Sequence, residues 1–342
     1  MSALGTRQFF RYHPVIGHTF IPGLRARVNH EGGGYLVRVN ETGFRCEHEF
    51  EKQRQPGVFR ALLFGDSFIA GDGVSNRKRF GDVLEQRIPG LEIYNFGISG
   101  TGQDQQYLAY QEFARDIEHD LLIIASPIEN IARIVARYMK FATSNGDGYR
   151  LFPRPYFEVD ERGTLHPRHI PVPQESLAPD AIPGEEFVYP AGRREQRRLR
   201  ELVYRMGPRA TVLARRLSRR DPAPQYASAD DPAWRLLRAI FEAWIAESPV
   251  PVLLFPIPLH QHVEEVASPA GYQARFAELH RPPAVAVHDP LPALLGYAKE
   301  ERRAFRFEND VHPTIAGHQA LAEALEPAIR AQMTAAREEL TA

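Results

Sequence analysis

The sequence predicts an α/β protein: a mostly parallel sheet with helices on both faces, in a three-layer α/β/α sandwich. Three observations predict it. The run DLLIIAS (120–126) is apolar without polar alternation, as in a strand covered on both faces. From residue 58 onward, strand-like runs alternate with stretches of helical spacing. The first of these runs stops abruptly at Gly65-Asp66-Ser67, and ligands of open parallel sheets sit at such carboxyl ends.

Residues 1–57 hold glycines and short β-like runs such as YLVRVNETGFR (35–45), so a β-rich N-terminal extension is expected. Residues 58–139 form the first part of the main domain. Val58–Phe64 reads as a strand, and RFGDVLEQRI (79–88) as a helix with Phe80, Val83, Leu84 and Ile88 on one face. LEIYNFG (91–97) is the second strand, DQQYLAYQEFARDI (104–117) the second helix, and 120–126 the third strand. Residues 140–235 break the pattern with prolines and the turn signals NGDGY and DERGT. They are expected to form a partly helical insertion, a lid or docking element carrying its own hairpins and helices. Residues 236–342 complete the domain with strands at PVLLFPI (251–257) and AVAVHD (284–289) and a last helix from about Ile315 to Leu340.

Composition excludes some classes. With 42 Lys and Arg against 43 Asp and Glu, the chain carries a net charge of −1 and no overall pull toward nucleic acid or membrane. Cys46 is the only cysteine, so neither an internal disulfide nor a cysteine-rich metal site can form. The first residues lack the apolar core of a secretory signal, and VPVLLFPIPL (249–258) is about half the length that spans a bilayer. A cytoplasmic protein without a transmembrane segment is expected. The stretch 193–220 carries eleven arginines against two glutamates. It reads as a solvated helical face, or as a docking face for an anionic substrate, an acidic carrier protein or a lipid surface. Nucleic acid is not expected there, because no aromatic stacking array accompanies the arginines.

A serine hydroxyl is a poor nucleophile until a base takes its proton, and the base is usually a histidine held in one tautomer by a carboxylate. FENDVHPTIAGHQALA (307–322) supplies such a pair in Asp310 and His312, at the entry to the last helix. NFGISGTGQDQ (95–105) ends strand two with glycines whose N–H groups can approach a ligand closely, and SPIENIAR (126–133) places Asn130 just past strand three. Four strand-end segments thus offer a serine, a glycine N–H, an amide and an acid–histidine pair. Taken singly each has a plain structural reading. Ser67 could cap the helix after it, the glycines could make a turn, and Asn130 could start a helix.

In these four segments together the chain resembles the SGNH hydrolases, the group that contains the GDSL esterases and lipases, whose flavodoxin-like sheet agrees with the predicted one. The resemblance implies that Ser67 is the nucleophile, that Ser67, Gly100 and Asn130 form the oxyanion hole, and that Asp310 and His312 complete the triad. It covers roughly 58–135 and 250–330, and VNETGFR (39–45) resembles a segment preceding the first block in some bacterial members. The chain departs from the pattern twice. The usual Gly-x-Asn-Asp is here Ile128-Glu129-Asn130-Ile131, and the usual Asp-x-x-His places Asn309, not an aspartate, three residues before His312. Asp310 or Asn309 could therefore orient His312, and Asp310 is the choice. Gly65, Ser67 and Ile69 do not make the Gly-x-Ser-x-Gly elbow of the α/β-hydrolases.

Asp66, His260 and His262 are assigned to substrate binding. His260-x-His262 has the spacing of a zinc pair, but without a third ligand at a telling distance no metal is expected. EGGGY (31–35) lacks the lysine and helix of a phosphate loop and reads as a turn. The expected activity is hydrolysis of a carbohydrate, lipid or small-molecule ester through an acyl-enzyme, with no cofactor. An acyltransferase using the same triad and a non-catalytic ligand- or partner-binding module on the same fold are the alternatives.

Overall fold

The computed structural model describes residues 7–142, 148–160, 162–178, 181 and 221–341. The N-terminal extension forms two antiparallel hairpins, β1 (Phe10–His13) with β2 (Gly17–Phe20) and β3 (Arg25–Val28) with β4 (Tyr35–Arg38). Then come β5 (Phe59–Gly65), α1 (Ser67–Ala70), α2 (Phe80–Arg87), β6 (Leu91–Gly97), α3 (Gln103–Phe113) and β7 (Leu121–Pro127). Two further antiparallel hairpins follow, β8 (Tyr138–Ala142) with β9 (Tyr149–Pro153) and β10 (Tyr156–Val159) with β11 (Leu165–Arg168). The chain closes through α4 (Pro232–Glu247), β12 (Val252–Ile257), α5 (His260–Val263), α6 (Ala270–Ala277), β13 (Val285–Val287), α7 (Leu291–Leu295), α8 (Lys299–Arg303) and α9 (Ile315–Thr341).

β5, β6, β7, β12 and β13 form one sheet in the order β13-β12-β7-β5-β6, and each neighbouring pair is parallel. The three inner strands are buried along their whole length. That is why they read as near-continuous apolar runs, interrupted in β5 by the buried Arg60, which pairs with Glu92 at 2.5 Å. Successive side chains point to opposite faces. Phe64 meets Trp244 of α4 and Tyr110 of α3, with ring centroids 5.1 and 5.9 Å away. Its neighbour Leu63 faces α2, where a Cβ at Gly81 would lie 2.9 Å from the leucine. Helices therefore cover both faces, giving the three layers expected.

Numbered by first appearance in this sheet, the order is the doubly wound 2-1-3-4-5, whose switch point lies between the first and third strands. Those strands are β5 and β7. Ser67 follows one and Asn130 the other.

The segment 140–235 is described only in part. Its described portion holds β9, β10 and β11, while α4 already begins at Pro232 and belongs to the helical layer. The arginine-dense stretch 193–220 lies outside the described residues. Phe10, Phe20, Val28, Tyr35, Val37 and Val39 of the extension share a small apolar cluster with Phe141 of β8 and Ala70 of α1. The N-terminal hairpins are thus packed onto the segment that carries Ser67. Among the described residues, no helix is long and apolar enough to cross a membrane.

Candidate active site

β5 ends at Gly65 because the next residues must turn sharply into α1. A Cβ on Gly65 would meet Ile69 at 2.4 Å. Asp66 caps the helix, its Oδ1 accepting from the Phe68 N–H at 2.9 Å. Ser67 therefore is not the cap: the preceding aspartate does that work, and the Ser67 hydroxyl is left for other partners. Gly71 ends the single turn in the left-handed region, at φ 83°.

The turn is held from below and beside. Asn95 Nδ2 donates to the Ile69 carbonyl at 2.9 Å, and Ile98 N–H donates to the Gly65 carbonyl at 3.1 Å. Gly97 lies against α1 so closely that a Cβ would stand 2.3 Å from the Ala70 nitrogen. Arg45, the last residue of VNETGFR, is fully buried beneath the loop after α1. It donates to the carbonyls of Gly71 and Val74 at 2.8 and 2.9 Å and to Asn76 Oδ1 at 3.1 Å, and stands 4.0 Å from Asp72.

Ser67 Oγ lies 2.9 Å from His312 Nε2, and His312 Nδ1 lies 2.5 Å from Asp310 Oδ1. The His312 backbone N–H also donates to Asp310 Oδ1, at 3.1 Å. With Nδ1–H given to the carboxylate, Nε2 is the acceptor for the serine hydroxyl, a tautomer assigned from its partners. The contact to His312 belongs to Asp310. Asn309 turns outward, its Nδ2 donating to Glu31 at 2.8 Å.

Burial alone would lower the His312 pKa, but the hydrogen bond to Asp310 and the nearby charges of Asp72, Asp310 and Asp66 outweigh it, so the pKa is raised. Burial alone would raise that of Asp310, yet hydrogen bonds from His312 and His30 and the imidazolium charge hold it well below the usual carboxylate range. The acid stays ionised while its histidine gains basicity. Asp72, buried, is pushed up by that burial and accepts from Ser99 Oγ at 2.8 Å.

Gly100 sits in the loop after β6 at φ 84°, a conformation that favours glycine, with Met139 of β8 so close that a Cβ would meet its methyl at 2.6 Å. Asn130 lies in a 3-10 turn, Ile128–Ala132, after β7. Its Nδ2 donates to Asp66 Oδ2 at 3.0 Å, and Arg133 Nη1 donates to the same oxygen at 2.8 Å. An amide nitrogen carries two hydrogens, of which Asp66 takes one.

Asp66 does not fit its assignment to substrate binding. It is fully buried, one oxygen spent on the helix cap and the other on Asn130 and Arg133. His260 and His262, two residues apart on the short α5, point to different surroundings, as helical geometry requires. His260 Nε2 donates to the Val311 carbonyl at 2.6 Å, which places it against the His312 loop, and burial lowers its pKa to about 4. His262 is buried against Tyr272, its ring 5.1 Å away, with Nδ1 accepting from the Leu259 N–H of its own turn. Neither ring nitrogen of His262 reaches the group around Ser67. Among the described residues, no three His, Cys, Asp or Glu side chains stand close enough to hold a metal ion.

Four residues at the site went unread in the sequence: His30, Arg45, Arg133 and Asp72. Only Arg45 had a signal, the VNETGFR segment.

No protein-family model matches the chain, and no curated protein matches it. Solved structures do. A lipase from a goat rumen metagenome is 12% identical, with 79% of this chain and 97% of that one covered and a TM-score of 0.41. A member of the lipolytic G-D-S-L family from Veillonella parvula is 12% identical, with 78% and 96% covered and a TM-score of 0.38. An alpha/beta hydrolase from the metagenome of Lake Arreo is 16% identical, with 79% and 94% covered and a TM-score of 0.39. A lipolytic protein of the G-D-S-L family is thus among the solved structures that this chain is similar to.

Proposed function

We propose that the protein is a serine ester hydrolase that works through an acyl-enzyme. One observation carries this reading: a Ser67–His312–Asp310 line with contacts of 2.9 and 2.5 Å, assembled from residues 245 positions apart at the switch point of the sheet. His312 Nε2 takes the Ser67 hydroxyl proton as Oγ attacks the ester carbonyl carbon. The carbonyl oxygen becomes an oxyanion, held by the backbone N–H groups of Ser67 and Gly100 and by the second amide hydrogen of Asn130. The imidazolium then returns its proton to the departing alcohol oxygen as the C–O bond breaks, leaving Ser67 acylated. His312 then takes a proton from water as the water oxygen attacks the acyl carbon, and the imidazolium gives that proton to Ser67 Oγ as the acyl–Oγ bond breaks, releasing the acid and the free serine. Asp310 holds the Nδ1–H tautomer throughout and stabilises the imidazolium between the two transfers.

Intact-mass measurement after treatment with a fluorophosphonate tests it. Wild type is expected to gain one adduct and Ser67→Ala none. A folded wild type that gains none, or a Ser67→Ala protein that hydrolyses p-nitrophenyl acetate at near the wild-type rate, would sink the reading.

A further inference from the structure

The turn between β3 and β4 does more than reverse the chain. It brings His30 and Glu31 against the loop that carries Asp310, 280 residues away in sequence. The His30 side chain is 96% buried, with 4% exposed. A buried imidazole needs partners for both nitrogens. His30 Nδ1 accepts from the Gly32 N–H at 3.3 Å, so Nε2 carries the proton, and Nε2 lies 3.1 Å from Asp310 Oδ2. The ring is set edge-on to Phe307, 4.4 Å away at 70°, and to Tyr35, 5.9 Å away at 75°. Its direction is therefore fixed by packing as well as by hydrogen bonds.

We propose that His30 is a positioning residue of the active site, a fourth member in a Ser67–His312–Asp310–His30 line that fixes the plane of the Asp310 carboxylate. This rests on the hydrolase reading above. A carboxylate turns easily about its last bond, because that torsion has broad, shallow preferences. Oδ1 already accepts twice from His312, through Nδ1 and through the backbone N–H. The His30 bond to Oδ2 leaves one orientation in which all three donors are satisfied. Glu31 assists by a separate contact, taking the Asn309 backbone N–H at 3.1 Å and its side-chain amide at 2.8 Å. That keeps the neighbouring amide from competing for Asp310. The glycines of the turn allow the approach, since a Cβ on Gly32 would stand 2.7 Å from the Phe307 ring.

Three proteins test this on the full chain: wild type, His30→Phe, which keeps a ring and loses the donor, and His30→Gln, whose amide nitrogen reaches the place of Nε2. The measurements are the maximal rate of Ser67 phosphonylation, the half-saturating concentration of the same fluorophosphonate, and the far-downfield proton resonance of the His312–Asp310 bond. His30→Phe is expected to slow the maximal rate about tenfold at unchanged half-saturation and to shift or broaden the resonance. His30→Gln is expected within about threefold of wild type with the resonance kept. If His30→Phe does not fold, His30→Gln against His30→Asn, whose amide is too short to reach Oδ2, gives the same comparison. Wild-type rates in His30→Phe, or equal losses with and without a donor that reaches, would overturn the proposal and leave the hydrolase reading standing. An unlabelled wild type would instead overturn that reading, and the role of His30 with it.

Discussion

Replacing Asp310 with asparagine removes one negative charge and keeps the shape, so its cost can be worked from the contacts. In the proposed mechanism the imidazolium formed during each proton transfer loses a partner charge whose centre is about 4 Å away, worth about 4 kcal/mol at an effective dielectric near 20. At about 1.36 kcal/mol per decade this is close to three decades in rate. The amide adds a second fault. If its oxygen faces His312, its NH2 group faces the His30 Nε2–H, donor against donor. If it is flipped, the NH2 group faces both His312 donors and favours the wrong tautomer. His30 cannot simply change tautomer, because its Nδ1 is already an acceptor for Gly32. Together these give a loss of about 10⁴ in kcat, the scale seen when the acid of a Ser–His–Asp triad becomes an amide.

The same substitution has a signed effect on pH dependence. The proposed mechanism needs neutral His312, and its pKa stands above the ordinary imidazole value because Asp310, Asp72 and Asp66 outweigh burial. The acid limb of the wild-type kcat/KM profile should therefore lie above the ordinary histidine range, with activity falling as pH drops through it. Without the Asp310 charge the limb should move to lower pH, though Asp72 and Asp66 still hold it part of the way. The assay is p-nitrophenyl acetate turnover from pH 4 to 9, with phosphonylation as a check. A loss smaller than tenfold, or a limb that stays in place or rises, would refute the reasoning.

Two further outcomes follow from the supports beneath Ser67. Arg45→Met should lower stability by about 3–5 kcal/mol, since it leaves Asp72 and two buried carbonyls without their cation. Urea unfolding followed by tryptophan fluorescence checks this, and a midpoint equal to wild type would contradict it. Gly97→Ala should abolish Ser67 labelling or folding, because its Cβ meets α1 backbone at 2.3 Å. Gly57→Ala, with nothing within 4 Å and only its φ of 79° against it, should stay labelled at a cost of about 1 kcal/mol. Equal behaviour of the two would show that the close approach does not matter.

What could be read from the sequence and what could not divide along contact range. β5, β7 and β12 were legible because strands buried on both faces cannot alternate, and the Asp310–His312 pair because both stand on one short loop. The choice between Asp310 and Asn309 needed the loop's shape, which Glu31 helps to fix from across the molecule. His30 carried no local signal, since its meaning lies wholly in where the β3–β4 turn docks. The glycines of EGGGY read correctly as a turn, but nothing in five residues tells what a turn will touch. Asp66 was misread because an acid beside a nucleophile suggests solvent and ligand. Here it is spent inside the protein, holding Asn130 and Arg133 in place.

The pairing of the His30 turn with the Asp310 loop also bears on the order in which the chain is made. Synthesis proceeds from the N-terminus, so Ser67 emerges early, while its base and the acid between the two histidines come 245 and 243 positions later. A ribosome-bound fragment that stops short of Asp310 would hold a serine with no proton acceptor, and a docking turn with nothing to dock on. Unfinished chains would then carry an inert hydroxyl, and reactivity toward a fluorophosphonate would mark a molecule whose two ends have met.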